Sequence, residues 1–133
     1  MNEAINQSGF EFDKRLDSSL YITFEKNESY AIDIFEYYVT SIQMKLADLE
    51  DAILNRDVDR VDLLSHAHIS TYNYVGLSFI AEIMREMRHR ANIDDWSQVE
   101  YLMEQARIHT ESVSPIINEE LERLRLYCRK KLL

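Results

Sequence analysis

Two histidines stand two positions apart, His66 and His68, in the stretch DVDRVDLLSHAHISTYNYVG (residues 57–76), which ends on one of only two glycines in a chain of 133 residues. Imidazole titrates near neutral pH, and in its neutral form it is a good nucleophile and a common metal ligand. The spacing sorts these uses. Positions two apart on a regular helix diverge by roughly 200°, so His66 and His68 cannot share one ion. Cys128 is the only cysteine, so an internal disulfide is excluded, and no zinc-type Cys/His spacing occurs. No metal site is expected. Glu119 and Glu120 are adjacent in a helical pattern and point apart, which does not suit the paired carboxylates of a glycosidase. The remaining chemistry is that of one accessible imidazole, so the question is which ring faces water.

The periodicity of the same stretch answers it. Val61, Leu64, His68, Thr71 and Val75 recur at steps of three and four and share an inner helical face. His66 lies two positions from both Leu64 and His68 and points away from that face, with Asp62, Ile69, Ser70 and Asn73 on its side. His68 and His109 are expected to be core or boundary residues and His89 a surface one. The tyrosines at 37, 38, 72 and 74 are expected to serve packing and rim.

The helix that carries His66 needs neighbours, and the pattern supplies them. A first helix starts at the N-cap Asn27 and runs to about Asn55, with Ile32, Phe35, Val39, Ile42, Leu46, Leu49 and Ile53 as a heptad seam. Asp57 caps the second helix, and Gly76 ends or bends it. A third, LSFIAEIMREMRHRA, turns Ile80, Ile83, Met84 and Met87 inward and ends near Asn92. A fourth starts at Asp95, with Gln98 completing a capping box, and buries Val99, Leu102, Ala106, His109, Val113, Ile116 or Ile117, Leu121 and Leu124. Pro115 falls inside it and should kink or split it. Arg129, Lys130 and Lys131 complement its dipole. The short connections at 55–57, 76–77 and 91–95 predict an all-α, antiparallel up-down four-helix bundle. Residues 1–12 are polar and expected to be loose, residues 13–26 form a short helix or an extended lid, and 13–133 make one domain.

Composition agrees. Two glycines and one proline are too few for a protein of β-hairpins, and 46% hydrophobic with 29% charged residues is globular. A net charge of -9 opposes binding to nucleic acid or anionic lipid. No run of 18 apolar residues exists, and the N-terminus lacks a basic region followed by an apolar one, so a cytoplasmic protein is expected, with a monomer favoured.

Residues 27–91 resemble a histidine-phosphotransfer (HPt) domain, the relay module of multistep two-component signalling. The segment NESYAIDIFEYYVTSIQMKLADLEDAILNRDVDRVDLLSHAH looks like that family's opening helix, short acidic loop and run into the phosphorylated histidine. The family pattern is His-x-x-Lys-Gly, with a second Gly ten residues after the histidine and an apolar residue next. Here Gly76-Leu77 stands at that distance from His66. The resemblance therefore implies His66 as phospho-acceptor and places His68 where the family has a buried Leu. The family lysine, which donates to the phosphoryl oxygens, is replaced by Ile69, and the first glycine, which leaves room for the partner, by Ser70. A substitute cation is expected from the third helix, Arg88 first and Arg85 second, with Ser70 able to add a hydrogen bond. The implied partner is the receiver domain of a response regulator or hybrid kinase, docked over Ile69, Asn73 and Gly76. That receiver would supply the Mg²⁺, so the resemblance implies no cofactor of the protein's own. Two other readings stay open at this point: a degenerate relative that binds receivers without transfer, and a helical adaptor without phosphate chemistry.

Overall fold

A computed structural model describes residues 10–17 and 27–132. They hold four helices: α1 (Glu28–Leu54), α2 (Val58–Tyr74), α3 (Ser78–Asn92) and α4 (Trp96–Leu132), and no strand occurs among the described residues. Each start has a local cause. The Asn27 side chain accepts from the Tyr30 amide at 3.1 Å, and Asp57 does the same for Arg60 at 3.1 Å. Asp95 accepts from the Gln98 amide at 3.4 Å. Each satisfies one of the amide donors that a first turn leaves open. The three connections turn through left-handed residues, Arg56 (φ 52), Gly76 (φ 79) and Asp94 (φ 62). Only one of these three is glycine, which is how a chain with so few glycines makes three tight turns.

Helix α1 packs on α2, α2 on α3, α3 on α4, and α4 back on α1, as in a helical bundle. The core between them holds Phe35, Leu46, Leu49, Val61, Ile80, Met84, Met87, Val99, Ile117 and Leu124, each almost wholly out of water. Every such aliphatic or aromatic side chain contributes about 1.5–3 kcal/mol when fully buried. No helix among the described residues is long and apolar enough to cross a membrane.

Several inner faces sit one position away from where the periodicity put them. On α1, Ala31 and Tyr38 are buried while Ile32 and Val39 are only partly so. On α4, Met103 and Thr110 point inward where Leu102 and His109 were candidates, and of Ile116 and Ile117 it is Ile117 that is buried. Helix α4 also runs unbroken through Pro115, which excludes a split into two helices. Pro115 is solvent-exposed, so the Glu111 carbonyl that loses its amide donor there has water within reach.

Part of the stretch expected to be loose is packed. Phe10 is buried and stands edge-on to Phe12 and Tyr127, and Phe12 stacks on Phe35. Residues 10–17 form an irregular strap rather than a helix. Glu120, 1% exposed, accepts from the Asp13 amide at 2.8 Å and pairs with Arg123. Arg123 also donates to the Glu11 carbonyl and lies over the Phe10 ring. The other end of the strap reaches the α2–α3 turn, where the Asp17 amide donates to the Gly76 carbonyl at 2.7 Å. The rest of the predicted lid, residues 18–26, and residues 1–9 lie outside the described residues.

Candidate functional site

Helix α2 buries Val61, Ser65, His68, Ile69 and Tyr72 and leaves His66 exposed. His66 stays outward at the edge of the shifted face, roughly 100° from Ser65, 120° from Tyr72 and 60° from Ile69 at 100° per residue. Two polar residues can line the core because their hydroxyls are satisfied there. Ser65 donates to the Val61 carbonyl at 2.6 Å, and the Tyr72 hydroxyl shares a 2.7 Å hydrogen bond with Thr110.

Beside His66 stands a cation from the next helix. Arg88 of α3 places Nη1 3.2 Å from His66 Nδ1. The same guanidinium donates from Nε to Asp62 Oδ1 at 2.7 Å and from Nη2 to Asp62 Oδ2 at 3.3 Å. Asp62 lies one turn before His66 on α2, and Asn92 at the end of α3 braces it, donating to Oδ1 at 2.9 Å. Arg88 and then Asn92 hold the Asp62 carboxyl below its usual range, and Asp62 in turn raises Arg88. Guanidinium has donors only, so the contact with His66 requires a lone pair on Nδ1. In this arrangement the neutral ring carries its proton on Nε2.

Of the residues singled out from the sequence, His66 and Arg88 come together, and Ser70 is exposed one turn beyond the ring. Arg85 pairs within its own helix, with Glu82 at 3.3 Å. Asn73 is half-buried. Ile69 is 8% exposed and belongs to the core, not to the outward side where the helical wheel put it. Gly76 is buried too. A Cβ there would meet the Asp17 backbone at 2.8 and 2.9 Å and Leu16 Cβ at 2.9 Å. The space a glycine leaves at this turn is filled by the protein's own strap. Asp62, placed on the His66 side of the helix, and Asn92, read as a helix end, were given no role at the site. The available signal was the four-residue step from Asp62 to His66, which puts both on one helix face.

Exposed apolar side chains occur on α1 and α2. Leu63, three residues before His66, is 68% exposed, and Tyr37, Met44 and Tyr74 are exposed on α1 and α2. Between these helices runs a groove of about 290 Å³ lined by Tyr30, Ile34, Tyr37, Thr71 and Tyr74.

His68 is in the opposite setting. It is 3% exposed, stacks on Tyr72, and donates from Nε2 to the Lys45 carbonyl at 3.1 Å. Burial pushes its pKa down to about 4, so it is held neutral at neutral pH. The one Glu-x-x-His spacing, Glu86 to His89, lies on α3 with Glu86 engaged by Arg90 at 2.7 Å. No three potential metal ligands converge among the described residues.

Fold and site together define a helical protein that presents an exposed histidine, braced by a guanidinium, on its second long helix. In comparison with known proteins, no family model, no curated protein and no solved structure matches this chain.

Proposed function

We propose that the protein is a histidine phosphotransfer relay in which His66 takes a phosphoryl group from the phospho-aspartate of a receiver domain and passes it on. The observation that carries this reading is the exposed His66 ring with Arg88 at 3.2 Å. A neutral imidazole nitrogen attacks phosphorus, the acyl-phosphate P–O bond breaks, and the receiver's aspartate leaves as carboxylate. Little covalent chemistry is asked of the bundle beyond holding the ring and stabilising charge on the phosphoryl oxygens. Arg88 stands where it can do the second, in place of the lysine that the HPt pattern would put at Ile69. The up-down antiparallel order of such domains has support in the ion pairs Arg107–Glu50 and Arg125–Glu36, where residues later in α4 meet residues earlier in α1. The receiver would dock over Leu63, Ser70 and the exposed tyrosines rather than over Ile69 and Gly76, which are covered. With this function goes a cytoplasmic location.

The test is transfer of label from a phosphorylated receiver domain. Wild type is expected to take label, and His66→Gln to take none. Equal labelling of the two would exclude His66. A second reading has one observation in its favour: both oxygens of Asp62 already hold Arg88. A protein in which that ion pair never opens would bind receivers without transferring, and it would capture a receiver yet stay unlabelled.

A further inference from the structure

The Arg88 guanidinium is shared between a nucleophile and a carboxylate that lie on one face of the same helix. Asp62 and His66 are four residues apart on α2, and Arg88 reaches the ring through Nη1 and the carboxylate through Nε and Nη2. Asn92 fixes Asp62 from the far side of the pair by bonding both the carboxylate and the Arg88 carbonyl, at 2.9 and 2.8 Å. We infer that Asp62 is the positioning residue of His66, and that it and Arg88 compete for the ring's Nδ1 and thereby set which nitrogen can react.

While Arg88 donates to Nδ1, the ring proton is on Nε2 and the only free lone pair lies under the guanidinium. No electrophile reaches phosphoryl-transfer distance of that nitrogen without displacing Arg88. An incoming phosphoryl group offers Arg88 a better acceptor, with up to three charged oxygens in place of two. When Arg88 turns to it, Asp62 loses its main partner while remaining one turn from the ring. Nδ1, uncovered, takes a proton from solvent while Nε2 gives its own to solvent, and Asp62 accepts a hydrogen bond from the new Nδ1–H. Nε2 now holds the lone pair and attacks. The Nε2–P bond forms as the donor's bond to phosphorus breaks, with the electron pair leaving on the donor atom. The positive charge that develops on the ring stays at Nδ1–H, against the Asp62 carboxylate. One ion pair is exchanged for two, Arg88 with phosphoryl and Asp62 with the imidazolium. Transfer at Nε2 rests on the phospho-acceptor reading of His66; the tautomer control does not.

The experiment has two arms, both on the full chain. In the first, long-range ¹H–¹⁵N correlation spectra give the His66 tautomer at a pH where the ring is neutral. Wild type is expected to be mainly Nε2–H. Arg88→Ala is expected to shift the ring to mainly Nδ1–H, a change of roughly tenfold or more in the ratio, since a hydrogen bond to a charged group is gained on one side and lost on the other. Arg88→Ala with Asp62→Asn should lose that preference. A wild-type ring already mainly Nδ1–H, or a ratio unmoved by Arg88→Ala, would overturn the inference. In the second arm, phosphoramidate serves as a small donor, with ammonia as the leaving group, and peptide mass mapping reports phosphorylation at His66. Asp62→Asn is expected to be phosphorylated roughly tenfold more slowly or worse. An unchanged rate would also overturn the inference, even with His66 labelled. If wild type takes no phosphoryl group while the tautomer shifts as expected, the relay function fails and the control of Nδ1 by Asp62 and Arg88 stands.

Discussion

At His68 the bundle stores a pH dependence that has nothing to do with the exposed ring two positions earlier. Burial lowers its pKa from the ordinary 6.5 to about 4, and its Nδ1 has no hydrogen-bond partner among the described residues. The unfolded chain therefore binds a proton between these two values that the folded chain refuses. Stability from this group is complete above about pH 6.5 and is lost progressively as the pH falls towards 4. The shift corresponds to on the order of 3 kcal/mol over that window, at about 1.4 kcal/mol per unit. His68→Leu removes the titration and the orphaned nitrogen at nearly constant volume. At neutral pH its cost should stay under about 1.5 kcal/mol, because the Lys45 carbonyl still has its helical donor. Urea unfolding at neutral pH and near pH 4.5 checks this. Wild type should lose clearly more stability on acidification than the variant, and equal losses would show that the ring at 68 is protonated in the folded state.

On the scale of single helices, the sequence identified the elements well and their faces less well. Asn27, Asp57 and Asp95 could be recognised as caps because a short polar side chain before an apolar period has one main local use. The outward direction of His66 was equally legible, because a residue opposite the expected face still lies at the edge of one shifted by a single position. The inner face of α2 was not. Aliphatic residues are scarce there, and Ser65 and Tyr72 look like surface residues until their partners Val61 and Thr110 are known. Ser65 is satisfied within its own helix, but Tyr72 is covered only through a partner 38 residues away, which periodicity cannot see. The same limit hid the Asp62–Arg88 pair, the buried Glu120 and the strap it anchors, all contacts between elements. Gly76 is where strap and helix turn meet, and it gives a test at this scale. Gly76→Ala forces an L side chain into φ +79, costing about 1–2 kcal/mol, and adds a clash with Leu16 and Asp17. Leu16→Ala, which empties a buried position, should cost roughly 2–5 kcal/mol. Because their atoms touch, the double variant should depart from the sum of the two by about 0.5–3 kcal/mol in denaturant unfolding. Strict additivity would mean that the strap does not rest on the α2–α3 turn.

For the molecule as a whole, charge and exposed apolar area decide what can approach the site. There are 24 acidic against 15 basic side chains, and Arg56, Arg60, Arg90, Arg107 and Arg125 are engaged in exposed or half-exposed ion pairs, which contribute little because water and salt screen them. Closure of the four helices is thus left to the core, and the surface keeps an acidic excess that gives a partner no general attraction to an acidic face. If a partner docks near His66 as proposed, it must draw on apolar contact, and Leu63 is the large side chain best placed for it, 68% exposed and three residues from the ring. Leu63→Ser leaves net charge and core unchanged, so its effect on stability should stay within about 0.5 kcal/mol. If the receiver seats over this face, calorimetric titration should show its affinity falling by at least about fivefold, or about 1 kcal/mol, a cost that most interface residues do not reach. Ile108→Ser on α4, where the side chain is 49% exposed, supplies the control and should leave affinity unchanged. Loss of binding in the α4 variant alone would move the docking face away from His66. Such a result would separate the partner from the only exposed imidazole that has a guanidinium at hydrogen-bond distance among the described residues.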